Sequence, residues 1–419
     1  MRHKIILFVA VFVFLAITAF TAKQMFPRNA SLSSPVVNGS REQRWQADLT
    51  WLRDTLPQKH INLFFNISQT DFQNRMNALI ASVPDSDDRT LMGELIKTVN
   101  SIGDMHTNAT PNVLSVLPIS FFFFEEGIFV NMIDVHFFEF YGQKLTAVEG
   151  IPIEQILERL QPFTHRNNTF SEKNGLSNLL RVSEVLYLAG IAYSTSQIRY
   201  TFGDNDLTVS RVKWEVGDAK LENVEKFPPP EQRLLSQRNS DKYYWFERLD
   251  NDVLYIKYNS CRDMKDYPVS AFITDIFKEI DKKDVKKIVV DLRDNGGGNS
   301  QLFDPFISKM EEYPKLNTSE NFKIIIGRRT FSSGILNAWH LKTATQATFV
   351  GEPTGDRVNR YGQAERLSLS NVDVIVQYST KYFKLTHDDP DALYPDVSVK
   401  LRAEEWFCGE DAFLEAALR

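Results

Sequence analysis

The chain has 419 residues, of which 43% are apolar and 24% charged, with a formal net charge of -6. That is the composition of a globular protein and excludes a largely disordered chain. A mildly acidic balance without any Lys/Arg-rich block also excludes the electrostatic footprint of a nucleic-acid binder.

Length allows two or three domains of about 100–200 residues each. Residues 1–24 read as a signal peptide or signal anchor. Arg2, His3 and Lys4 precede an uncharged run from Ile5 to Ala22, a basic n-region followed by an apolar h-region. The run is borderline between a signal core and a short spanning helix. A cut after Ala22 would place Phe20 where a small residue is preferred, so cleavage or retention stays open. Either way the chain is expected to be exported, extracellular or anchored facing outside, with any membrane contact made by this segment. Residues 25–42, with Pro, Asn, Ser and Gly, form a linker.

Residues 43–111 read as a helical bundle. Trp45, Leu49 and Leu52 recur at helical spacing, and Phe72, Met76, Leu79 and Ile80 follow at i, i+4, i+7, i+8. Thr70 or Asp71 is expected to cap the second helix, and the acidic Asp85–Asp88 run the third. Residues 112–225 form a β-rich module, with strands expected at Ser120–Phe124, Ile128–Val130, Lys144–Val148, Gln197–Phe202 and Leu207–Trp214. Helices are expected at Glu154–Leu160 and Leu176–Ala189. The phenylalanine run 121–124 reads as a buried strand or a groove wall. Residues 226–242, with the Pro-rich KFPPPEQR, are a second linker.

Residues 243–419 alternate strand and helix, which implies parallel strands with crossover helices. Strands are expected at Val253–Tyr258, Ile288–Leu292, Phe322–Gly327 and Thr348–Gly351, and helices near Val269–Asp281, Leu302–Glu311 and Ser333–Thr343. Val372–Tyr382 alternates like a half-exposed strand.

Four segments carry chemistry. In VVDLRDNGGGNS (289–300) an apolar strand runs into three glycines, whose bare backbone lets N–H groups approach an anion. No GK[ST] follows, so it is not a phosphate-binding P-loop. In RRTFSSG (328–334) Ser332 and Ser333 stand where a strand turns into a helix, which exposes a nucleophile but is equally the place for a plain serine cap. GDMHT (103–107) offers His106, a residue type whose pKa suits a general base. The acidic run after His387 offers a carboxylate to orient an imidazole. His340 is a weaker base, two turns along the helix that Ser332 begins. The seven histidines and two cysteines show no metal-ligand spacing, so neither a metal nor a cofactor is expected. Cys261 and Cys408 read as two buried thiols, with a single disulfide left open.

Taken together, these segments resemble the tail-specific (C-terminal processing) proteases and the tricorn core proteases. The glycine loop, RRTFSSG and GDMHT match the family's hallmark elements. So do Val350-Gly-Glu-Pro-Thr-Gly355 with Asn359 and Tyr361-Gly362, then Tyr394-Pro-Asp-Val397, and the closing 409–417. The resemblance implies an α/β core built as a ClpP/crotonase-like spiral of parallel strands and helices, preceded by a helical bundle and often by a PDZ domain. Residues 142–160 resemble the second half of a PDZ domain, although its carboxylate-binding loop is not recognisable.

The resemblance also implies a serine peptidase acting on a peptide or protein through an acyl-enzyme. Ser332 would be the nucleophile, His106 the base, and Asp389 the acid, with Asp388 as the alternative. The N–H groups of Ser333 and of a glycine in the 296–298 loop would form the oxyanion hole, Gly297 being favoured and Gly298 the alternative. The tail-specific branch uses a Ser-Lys dyad, but here the lysine position holds Arg357, which stays protonated and cannot act as a base. The tricorn-like branch, with serine, histidine and acid, is the one the residues suit. Two other readings stay open: an inactive relative that binds a peptide or apolar ligand in the same cleft, and a phosphate- or acyl-CoA-binding enzyme using the glycine loop. Oligomeric state is not legible.

Overall fold

The computed structural model describes residues 32–215, 226–229, 232–282 and 284–419. The 1–24 segment lies outside the described residues, as do parts of both linkers. By internal packing the chain forms two compact units, one built from Gly217–Thr354 with Tyr394–Arg419, the other from Phe26–Val216 with Gly355–Leu393.

The first unit is an α/β layer around a six-stranded sheet. In sheet order its strands are Tyr244–Leu249, Val253–Tyr258, Lys287–Asp291, Phe322–Ile326, Thr348–Gly351 and Val397–Ser398. The first two form an antiparallel hairpin and every later neighbour is parallel. Parallel strands covered on both faces must be apolar throughout, and Ile288, Val289, Val290, Ile324, Ile325 and Ile326 are all fully buried. The crossover helix Val269–Lys282 buries Val269, Phe272, Ile273, Ile276, Phe277 and Ile280, an i, i+3, i+4, i+7 stripe. Each such side chain removed from water contributes about 1.5–3 kcal/mol. The expected helix near 302–311 is one α-turn pair, Asp304–Lys309, flanked by 3-10 turns, with Pro305 in its first turn.

The second unit opens with helices Arg41–Lys59, Gln69–Ala81 and Asp88–Asn100. Ser40 and Gln43 form a reciprocal capping box on the first. The cap of the second is Ser68, not Thr70 or Asp71, because its hydroxyl accepts from the Asp71 N–H. Asp87 caps the third. Asn108–Pro111 then enters a four-stranded sheet ordered Leu32–Ser33, Arg360–Leu369, Val374–Phe383, Asn108–Pro111. The stretch 355–393 therefore belongs to this unit by its pairing, although sequence pattern groups it with the 243–419 core. Its strands match each other over Arg360–Leu369 and Val374–Phe383 and then pair back to residues 108–111.

Further on, Ile119–Phe124 and Gly127–Asp134 form a hairpin with Phe121, Phe122 and Phe124 buried. A second four-stranded sheet holds Ala147–Val148, Ile151–Pro152, Gln197–Phe202 and Asn205–Ser210. The strand expected over 144–148 shrinks to two residues, and the helix expected over 176–189 is two, Thr169–Leu179 and Ser183–Leu188.

Candidate active site

Ser332 ends the turn after strand Phe322–Ile326 and immediately precedes helix Ser333–Ala344. Its backbone has φ +49° and ψ -125°, a conformation that costs a non-glycine residue about 1–3 kcal/mol and persists only where the surroundings impose it. Its side chain makes no capping bond to the helix, so it is not an ordinary serine cap. The helix N-terminus brings partial positive charge to that turn.

The glycine loop is locked against this turn. A Cβ on Gly297 would lie 2.7 Å from Ser332 Cβ and 2.8 Å from the Ser333 nitrogen, a separation no side chain tolerates. Gly297 and Gly298 have φ of +105° and +139°, which only glycine adopts freely. Phe331 N–H donates to the Asn295 carbonyl at 2.9 Å, and the Ser333 hydroxyl to the Gly298 carbonyl at 2.6 Å. The two candidate glycine donors differ in what they already hold. The N–H of Gly297 donates to Asn295 Oδ1 at 2.9 Å. Those of Gly298 and Ser333 donate to no acceptor among the described residues.

Behind the loop sits a buried ionic cluster. Lys257 Nζ stands 2.8 Å from Asp294 and 3.3 Å from Asp291, while Arg293 spans Asp291 at 2.9 Å and Asp411 at 2.7 Å. Tyr255 donates to Asp291 and Ser236 to Asp411. Cys261 is a buried thiol, pushed up to about 12 by desolvation. Cys408 is exposed, contrary to the expectation of two buried thiols, and both are free.

In the other unit, His106 lies on the turn between helix Asp88–Asn100 and strand Asn108–Pro111, buried at 8% exposure. Burial holds its pKa down to about 4; the nearby Asp104 carboxylate acts against this, while Arg360 and His165 add to it. Gly362 lies beside the ring, where a Cβ would stand 3.9 Å from Cε1, an ordinary contact distance. His165 is likewise lowered to about 4 by burial. Asp356, fully buried and bonded to Asn167 Nδ2 at 2.8 Å, is raised to about 6 by desolvation.

The late acids lie differently from His106. Asp389 is half exposed and its carboxylate pairs with Arg357 at 2.7 Å. The Asp388 carbonyl accepts from Asn359 Nδ2 at 3.3 Å. The main charge effects on the His106 ring come from Asp104, Arg360 and His165. Arg357 and Asp389 instead line a polar cleft of about 1330 Å³ with Phe65, His165, Arg166 and Glu172. His340 is occupied by Asp304 at 3.0 Å. Among the described residues no group of acids, histidines and cysteines is arranged to hold a metal, and no helix is long and apolar enough to cross a membrane.

The family model for peptidase family S41 matches residues 252–315, the segment that contains the glycine loop. Among solved structures, mature CPAF complexed with lactacystin aligns with a TM-score of 0.62 at 12% identity, over 90% of this chain and 97% of that one. Mature CPAF alone gives 0.60, again at 12% identity, over 90% and 96%. At such identity the likeness is one of fold. No curated protein matches the chain.

The sequence motifs do not single out Asp104, His60, Arg360 or Ser379. Asp104 stood two residues before His106 and was open to notice. His60, Arg360 and Ser379 lie 44, 256 and 275 residues from Asp104 in sequence, and only folding brings His60 and Ser379 to its carboxylate.

Proposed function

We propose that the protein is an exported serine peptidase that hydrolyses peptide bonds in peptide or protein substrates. The observation that carries this reading is the Ser332 turn: a serine in a conformation its neighbours impose, with its side chain excluded from helix capping and two uncommitted N–H groups beside it. Export rests on the sequence of residues 1–24 alone.

In this reading Ser332 Oγ attacks the substrate carbonyl carbon while His106 takes its proton. The negative charge on the carbonyl oxygen is met by the N–H groups of Ser333 and Gly298. Gly298 is preferred to Gly297, whose N–H already serves Asn295. Loss of one such donor typically costs about 2.7–4 kcal/mol of barrier. The C–N bond then breaks, His106 returns the proton to the leaving amine, and water cleaves the acyl ester by the same steps. Burial keeps the His106 ring unprotonated at neutral pH, so the base form is the resting form. Asp389 is the family-implied acid, with Asp388 beside it.

A fluorophosphonate probe tests the assignment. Wild-type protein should be labelled and Ser332→Ala should not. Undiminished labelling of the mutant overturns the nucleophile, and absence of labelling in the wild type favours a relative that binds without turnover.

A further inference from the structure

The Gly103–Thr107 turn is built around one buried carboxylate. Asp104 is 3% exposed and accepts four hydrogen bonds. Its Oδ1 takes the backbone N–H of His106 at 3.0 Å. Its Oδ2 takes the Thr107 hydroxyl at 2.5 Å, the Ser379 hydroxyl at 2.6 Å and His60 Nε2 at 3.1 Å. His60 Nδ1 accepts the N–H of Asn62 at 3.0 Å, which leaves the ring proton on Nε2, facing Asp104. The His60 ring in turn packs against Tyr361, centroids 5.5 Å apart. On the far side of the same residue, Gln377 Nε2 donates to the His106 carbonyl at 3.1 Å. The backbone of His106 is thus held at both its polar groups, the N–H by Asp104 and the carbonyl by Gln377 of strand Val374–Phe383.

We propose that Asp104 is a positioning residue for His106, oriented by His60 and Ser379, which fixes the turn that presents the imidazole and supplies the anion that favours its protonated form during proton transfer. This rests on the peptidase reading and deepens it. A carboxylate buried without partners would be neutral. Here burial is outweighed by the donors from His60, Ser379 and Thr107 and by the field of His106, and the group is held well below the usual carboxylate range. A fixed negative charge beside a ring that becomes cationic in mid-reaction stabilises that state, as the acid of a serine-histidine-acid triad does. Asp104 does so through the turn and through its field; its contacts to His106 are to the backbone. The other charged or titratable groups facing the ring are Arg360 from strand Arg360–Leu369 and His165 from the segment before helix Thr169–Leu179, both of which disfavour its protonation.

The test is Asp104→Asn in the full chain, read by steady-state kinetics on a fluorogenic peptide that the wild type cleaves. A mispositioned base loses about 10- to 100-fold in rate. The expected result is a loss of kcat of that size with KM within about twofold. The acid limb of the rate profile should also move to lower pH by about one unit, because loss of a neighbouring anion destabilises the imidazolium. Unchanged kcat, or lowered kcat with an unmoved limb, overturns the proposal, since a merely structural carboxylate would leave the limb in place. If Asp104→Asn does not fold, His60→Phe and Ser379→Ala each remove one donor and are read in the same way, with His60→Gln expected to restore a donor and most of kcat. Wild-type behaviour of both donor variants overturns the proposal. Full labelling of Ser332→Ala sinks the peptidase reading and this proposal with it. Loss of that labelling together with a wild-type Asp104→Asn sinks the positioning role alone.

Discussion

Two residues in the site are held in states they would not adopt alone. Ser332 holds a positive φ, and Gly297 can carry no Cβ because the serine and the Ser333 nitrogen occupy that space. Gly297→Ala should therefore abolish probe labelling and destabilise the unit by about 1–3 kcal/mol, read as a shift in the urea midpoint. His106 is the second case. With its pKa held near 4 by burial, kcat/KM should rise from pH 3 to 5 and stay level through neutrality. An acid limb near pH 6.5 would mean the ring is solvated in the working enzyme.

At the level of elements, the glycine loop is held from behind as much as from its own turn. Strand Lys287–Asp291 delivers Asp291 to Lys257 and Arg293, and Arg293 reaches Asp411 at the start of helix Ala412–Leu418. Asp411 also caps that helix through the Leu414 N–H at 3.2 Å and takes the Ser236 hydroxyl at 2.8 Å. Removing one partner of a buried pair leaves the other charge uncompensated. Asp411→Ala should cost about 3–5 kcal/mol in a chemical denaturation curve, while a surface pair such as Lys278 with Asp275 should contribute under about 1 kcal/mol.

Across the whole molecule, the buried titratable groups set how stability depends on pH. His106 and His165 have folded pKa values near 4, below the 6.5 of the free ring. Between those limits the unfolded chain binds their protons and the folded one does not, so both contributions are present above pH 6.5 and lost as pH falls towards 4. Asp356, raised to about 6, opposes this below pH 6, because there the folded chain holds its proton. Two histidines outweigh one carboxyl, and Tm should fall as pH drops from 6.5 to 4. Below the ordinary carboxylate pKa the depressed groups Asp104 and Asp411 extend the loss. A Tm that rises over the upper window, followed by calorimetry, would contradict the burial of both rings.

What the residues alone determined is the local order. Continuous apolar runs such as Ile288–Val290, leading towards a glycine loop, became buried parallel strands. The serine at a strand end became a turn before a helix, since both follow from period, burial and turn chemistry over a few neighbours. Tertiary structure alone decided the partners. Nothing in the pattern of 355–393 says that its hairpin pairs with residue 108 rather than with the strands before it. Nothing around His60 marks it as the donor to a carboxylate 44 positions away. Hydrogen-bond partners of a buried charge are chosen by which groups arrive when the core closes, and that closure depends on contacts hundreds of residues apart.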